Sequence, residues 1–150
     1  MTGKHYFILL GMGCLHFLAM FVLMYAMVDK ASDVFANFNQ AYMAGLMTAP
    51  MLIMEITLMG AMYPNKRLNV LIVVAAAIAL VFFFICIRQQ TLIGDRQFLR
   101  SMIPHHSGAI LMCERSSITD PEIKELCKTI VSSQQSEIDQ MLAILGRLSK

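Results

Sequence analysis

Two histidines in tandem, His105 and His106, sit where methionines fall at helical intervals, Met102 before them and Met112 after. Imidazole nitrogen with thioether sulfur is a donor set that suits Cu(I), because soft sulfur favours a soft cation; imidazole alone would also serve zinc or Cu(II). At about 100° per residue, Phe98, Met102, His105, His106, Ala109, Met112 and Cys113 share one broad helical face. A second helical pattern follows, with Ile123, Cys127, Ile130, Gln134, Glu137 and Met141 on one side. Between them Thr119-Asp120-Pro121-Glu122 stops one helix and starts the next, since Asp caps and Pro suits the first turn. Folding this hairpin about residues 119–120 pairs Cys113 with Cys127, His105 and His106 with Gln134, Met102 with Glu137 or Ile138, and Phe98 with Met141. Met102, His105, His106, Met112 and Met141 then make a candidate copper site, with Gln134 and Glu137 orienting an imidazole rather than binding the ion. The same residues have a plainer reading. Methionine fills gaps in any helical core, and the histidines are partly exposed or bonded to Gln134 and Glu137. Pro104 removes a backbone donor and should loosen the helix just before the histidines.

The elements that carry this hairpin belong to a membrane chain. A hydrophobic content of 57%, a charged content of 15% and a mean hydropathy of +0.62 exclude an ordinary soluble domain. Apolar stretches at about 5–28, 38–63 and 68–87 are each long enough for a hydrocarbon core of roughly 30 Å at about 1.5 Å per residue. The expected fold is all-α, with a membrane domain over 1–90 and a helical hairpin over 91–150. Lys4 and Lys66-Arg67 mark cytoplasmic flanks, which sends the hairpin outside; in a bacterium that is an inner-membrane protein with a periplasmic C-terminal domain. A net charge of +2 and the lack of a Gly-rich phosphate loop exclude a nucleic-acid partner and nucleotide chemistry. No Ser/His/Asp or Cys/His catalytic arrangement is legible, so the chain is not read as an enzyme.

Fourteen methionines in 150 residues call for an account, and most lie in the first two spans. Met12, His16, Met20, Met24 and Met27 fall within one arc of the first, with His5 on the same stripe. Met43, Met47, Met51, Met54 and Met62 line one face of the second, with Glu55 at its edge. The third span has none. The stripes fit a membrane track for a soft ion, and equally a packing face. A carboxylate inside a bilayer is costly, so Glu55 should face another helix or a wet cavity, with His16 a candidate neighbour.

The run Asp95-x-x-Phe98-x-x-x-Met102-Ile103-Pro104-His105-His106-x-x-Ala109-Ile110-x-Met112 leads into Asp120-Pro121-Glu122-Ile123 and Ile130-x-x-x-Gln134-x-x-Glu137-Ile138-x-x-Met141. Together they resemble the bacterial family known as domain of unknown function 305. That resemblance implies a ferritin-like helical fold, export, and copper binding and tolerance in several members, with Met102, His105, His106, Met112 and Met141 as ligands. Many relatives carry two His-His units in one soluble chain, whereas this sequence has one after three spans. A two-helix hairpin buries little by itself, so it is expected to complete a four-helix bundle by self-association, or to dock on the membrane helices. Cysteines at 113 and 127 also depart from the family pattern. A disulfide near the turn is the simple reading, and thiolate ligands for copper the sharper one. The expected function is membrane-anchored binding of Cu(I) or Ag(I) for sequestration, tolerance or handover to a copper-trafficking partner. The alternatives are a copper-transporter component using the methionine stripes, and a structural membrane protein without metal.

Overall fold

The computed structural model describes residues 2–149. It is all-helical, with no strand among the described residues. Helix α1 (Thr2–Leu23) continues into a 3-10 turn at Met24–Met27, and a second such turn follows at Ala31–Asp33. Then come α2 (Phe38–Leu58), α3 (Lys66–Gln89), α4 (Asp95–Arg115) and α5 (Pro121–Leu148). Three stretches are long and apolar enough to cross a membrane: Gly3–Met27, Phe38–Leu58 and Lys66–Gln89. The second helix ends at Leu58, short of the Tyr63 boundary that hydropathy suggests, because residues 59–65 turn back toward α3.

The chain forms two compact units, and they do not divide at residue 90 alone. The first holds α1, α2 and α3, with residues up to Met24 and Asn39–Thr91. The second joins Tyr25–Phe38, the connection between the first two spans, to everything from Leu92 onward. Three apolar helices long enough to cross a membrane are compatible with that pairing, since the two of them between these segments, α2 and α3, would return the chain to the same side. Hydropathy sees this connection as a short polar flank. It belongs instead to the fold of the hairpin.

Within the first unit, α2 presents Ala44, Gly45, Thr48 and Ala49 as its buried face. Small residues let membrane helices approach closely, where apolar side chains gain little over lipid. Gly13 of α1 stands against Leu52, and Gly45 against the Phe83 ring of α3. The loop end is tied by polar groups: Tyr6 donates to Asn69 Oδ1 at 2.7 Å, and Asn69 Nδ2 donates to the Tyr63 carbonyl at 2.8 Å. Asn65 caps α3 by accepting from the Leu68 N–H. At the far end Gln90 takes the left-handed conformation (φ 51°) that commonly ends a helix, and its side chain exchanges hydrogen bonds with Asn39.

In the second unit α4 and α5 pack antiparallel around Leu99, Ile103, Ile110, Ile138, Met141 and Leu145. Asp120 caps α5, accepting from the N–H groups of Glu122 and Ile123, with Pro121 in the first turn. Cys113 and Cys127 are joined by a disulfide, their Cα atoms 5.3 Å apart. The buried line of α4 is Leu99, Ile103, His106, Ser107 and Ile110, rotated from the Phe98–Cys113 face that the apolar pattern suggests; Phe98 is half exposed. The reason is the connection at 25–38, which covers α4 on the Ser107–Gly108 side.

That cover is built from backbone groups and short polar side chains. Ser107, fully buried, donates to Asp33 Oδ2 at 2.8 Å and accepts from the Asp29 N–H at 3.0 Å. Gly108 leaves room for the Met27 carbonyl, which would lie 3.2 Å from a Cβ at that position. Pro104 has no N–H to give the carbonyl four residues back, that of Arg100. The orphaned oxygen accepts instead from Asn37 Nδ2 of the connection, at 3.3 Å. Helix α4 runs unbroken through Pro104, so the proline opens a docking point rather than a loosened turn.

Candidate functional site

The local geometry of α4 fixes His106. Its Nδ1 lies 2.8 Å from the carbonyl oxygen of Met102, one turn earlier in the same helix. A carbonyl only accepts, so Nδ1 carries the proton and the other nitrogen is aimed outward. That nitrogen, Nε2, sits 2.7 Å from Glu137 Oε2 on α5. The His106 side chain is 9% exposed and that of Glu137 52%, so the pair closes the solvent edge of a buried imidazole. Nε2, paired with Glu137, is the ring nitrogen left for a ligand.

Two methionines lie one helical turn from this pair along the same helices. Met141, one turn beyond Glu137 on α5, is buried in the core cluster of the unit, and Met102 packs against the same cluster. The side-chain pair that the structure brings together is His106 and Glu137; Met102 and Met141 lie one turn away along α4 and α5, in the core of the hairpin. His105 and Met112 are placed apart from them. Both are exposed on the neighbouring face of α4, and the His105 ring meets His106 edge-on at 6.1 Å. Gln134 is half-buried; the partner that reaches His106 is Glu137, one turn further along α5 than antiparallel pairing about residues 119–120 suggests. The group that orients the imidazole is the Met102 carbonyl, a backbone partner that reasoning from side chains does not find. Its signal was the i, i+4 spacing of Met102 and His106.

Among the described residues no three His, Cys, Asp or Glu side chains are close enough together to hold a metal ion. The soft donors on the two helices are thioethers.

In the membrane unit the two methionine stripes take different sides. His16 of α1 meets the buried face of α2, its Nδ1 3.2 Å from Thr48 Oγ1, and Met20 and Met24 follow it half-buried. On α2 the small residues fill that contact, and Met43, Met47 and Met54 are exposed, with Met51 half-buried. Glu55 accepts from Tyr63 at 3.1 Å and is not the partner of His16.

Comparison with known proteins relates the hairpin sequence to a family. Residues 88–145 match the family described as Domain of unknown function (DUF305). An uncharacterized protein of Acanthamoeba polyphaga mimivirus is 36% identical over 119 residues, covering 78% of this chain and 76% of the viral protein. No solved structure matches the chain. A match of 119 residues is about twice the length of the domain itself, so the likeness to the viral protein reaches beyond the hairpin. With α4 and most of α5 inside the matched segment, this chain belongs to the domain of unknown function 305 family.

Proposed function

We propose that the protein is a membrane-anchored binder of Cu(I) or Ag(I) that holds the ion at His106 Nε2 with the thioethers of Met102 and Met141. The observation that carries this reading is the fixed imidazole: Nδ1 is tied to the Met102 carbonyl, which leaves Nε2 as the binding nitrogen. Glu137, more than half exposed, is free to swing away from Nε2 as the ion enters. His105 and Met112, both exposed, are suited to first capture from solution or from a trafficking partner. Thioether and imidazole ligands need no deprotonated thiol and exchange readily, which fits sequestration and handover better than permanent storage.

The hairpin lies on the side of the membrane opposite Lys4 and Lys66-Arg67, which in a bacterial inner membrane is the periplasm. Self-association belongs to this reading, since Met112, Ile123 and Leu126 near the hairpin turn are large, apolar and exposed.

The test is anaerobic Cu(I) titration of the full chain in lipid nanodiscs against a chromogenic competitor. Oxidised wild-type chain should take one tightly held equivalent, and His106→Ala and Met141→Ala should each lose it. Undiminished uptake by His106→Ala refutes the site.

A further inference from the structure

The disulfide near the hairpin turn stands in unusual surroundings. Cys113 on α4 and Cys127 on α5 are both partly exposed, and they line a surface cleft of about 540 Å³ together with Ser116, Ser132, Lys124 and Lys128. A structural disulfide in a core has no such opening. The lysines put positive charge on the side from which a thiolate would approach; Lys128 also pairs with Glu125 at 2.9 Å. The hairpin has a buried core besides this bond, at Leu99, Ile103, Ile110, Ile138, Met141 and Leu145, and α5 keeps its Asp120 cap.

The geometry points to a redox-gated soft-metal site: reduction of the Cys113–Cys127 bond frees two thiols that clasp one Cu(I) in the cleft. The electrons come from a dithiol reductant, small or protein-borne. Its thiolate attacks one sulfur, forming a mixed disulfide and releasing the other cysteine. The second thiol of the reductant then attacks its own sulfur in that mixed disulfide and expels the remaining cysteine. Two electrons and two protons pass to the pair, and the reductant leaves as a disulfide. Cu(I) then displaces the two thiol protons and is bound by two thiolates, the softest ligands the chain can offer. With Cα atoms 5.3 Å apart, rotation of the two side chains opens the sulfur separation toward twice a metal–sulfur bond of about 2.3 Å. Cys113 lies two turns from His106 on α4, so this site is distinct from the imidazole site and does not rest on it.

The experiment uses the full chain in nanodiscs with Cys14→Ser and Cys86→Ser, which removes the free cysteines of the membrane unit. Cu(I) uptake is compared anaerobically between oxidised chain and chain reduced with dithiothreitol and then desalted. Reduction should add one equivalent of Cu(I) with a near-ultraviolet thiolate-to-copper band. Adding Cys113→Ser and Cys127→Ser should abolish the increment, whereas His106→Ala should leave it intact. Loss of the His106-dependent equivalent therefore tests the first site, and loss of the increment tests this one. Equal uptake in both redox states, an increment that survives the double serine substitution, or unfolding of α4 and α5 on reduction by circular dichroism each overturns the proposal.

Discussion

The bond between Asn37 and the Arg100 carbonyl makes a sharp prediction, because its cause lies in a third residue. Pro104 cannot donate to the carbonyl of Arg100, and Asn37 Nδ2 supplies the missing proton at 3.3 Å while also donating to the Phe35 carbonyl at 2.9 Å. Asn37 is 4% exposed, so water does not readily replace it. A net hydrogen bond contributes about 0.5–1.5 kcal/mol, and a buried acceptor left unpaired costs about 1–3 kcal/mol. The Arg100 bond is at the long end of the geometric range, so we assign it about 1 kcal/mol and the Phe35 bond about as much. Asn37→Ala should therefore cost about 2 kcal/mol. In a Pro104→Ala background the backbone N–H restored at position 104 reaches the Arg100 carbonyl, and Asn37→Ala should cost only about 1 kcal/mol. The coupling of about 1 kcal/mol is the quantity to measure. Hydrogen exchange of the full chain in nanodiscs reads it from the slowest amides of α4 in the four proteins of the cycle. Costs that add to within about 0.5 kcal/mol would show that the proline and the asparagine are unconnected.

Two further outcomes follow from the same unit. Ser107→Ala removes the buried donor to Asp33 and the part-buried acceptor for the Asp29 N–H; the opening free energy at residues 25–38 should fall by roughly 2–3 kcal/mol, with the membrane helices unchanged, and an unchanged 25–38 segment would refute the latch. Reducing the Cys113–Cys127 bond, which closes a loop with a sequence separation of 14, should destabilise the turn end of the hairpin by about 3 kcal/mol, seen as faster exchange near residues 113–127; protection unchanged on full reduction would show that the bond does not restrain that end.

The apolar periods of the three spans, the capping signal at Asp120-Pro121 and the partnership of Cys113 with Cys127 were legible because each rests on local spacing. The His-His run also marked the matched domain. What spacing could not give was which side of a helix meets what. On α2 methionines and small residues both recur at helical intervals, and a periodic pattern alone does not say which stripe is interior. The membrane answers it, because close approach there favours Ala44, Gly45, Thr48 and Ala49. On α4 the buried face is rotated from the apolar pattern for a different reason. A hairpin read alone has one partner, whereas this one has two, and the second is a polar segment 60 to 80 residues away in sequence. The signals were present in Pro104, Ser107 and Gly108, a helix interior with a missing donor, a short hydroxyl and no side chain in succession. They have meaning only once a chain segment is known to lie against them.

That second partner bears on the proposed metal site. His106 and Ser107 are consecutive on α4: the imidazole turns to Glu137 on α5, and the hydroxyl turns to Asp33 of the connection. One turn of helix is thus held from two sides, and Met102, whose carbonyl sets the His106 ring, lies between Arg100 and Pro104 in the stretch that Asn37 anchors. Cutting the chain to residues 89–150 removes Asp33 and Asn37 while keeping every proposed ligand. The buried Ser107 and the orphaned Arg100 carbonyl would then face water, and the turn carrying His106 would lose the packing that fixes its rotamer. A site depends on such support as much as on its ligands. The isolated hairpin should therefore bind Cu(I) more weakly than the full chain, and restoring the 25–38 segment by a covalent linker should recover the difference. Equal Cu(I) affinity of the isolated hairpin and the full chain in the same competitor assay would separate the metal site from the latch beside it.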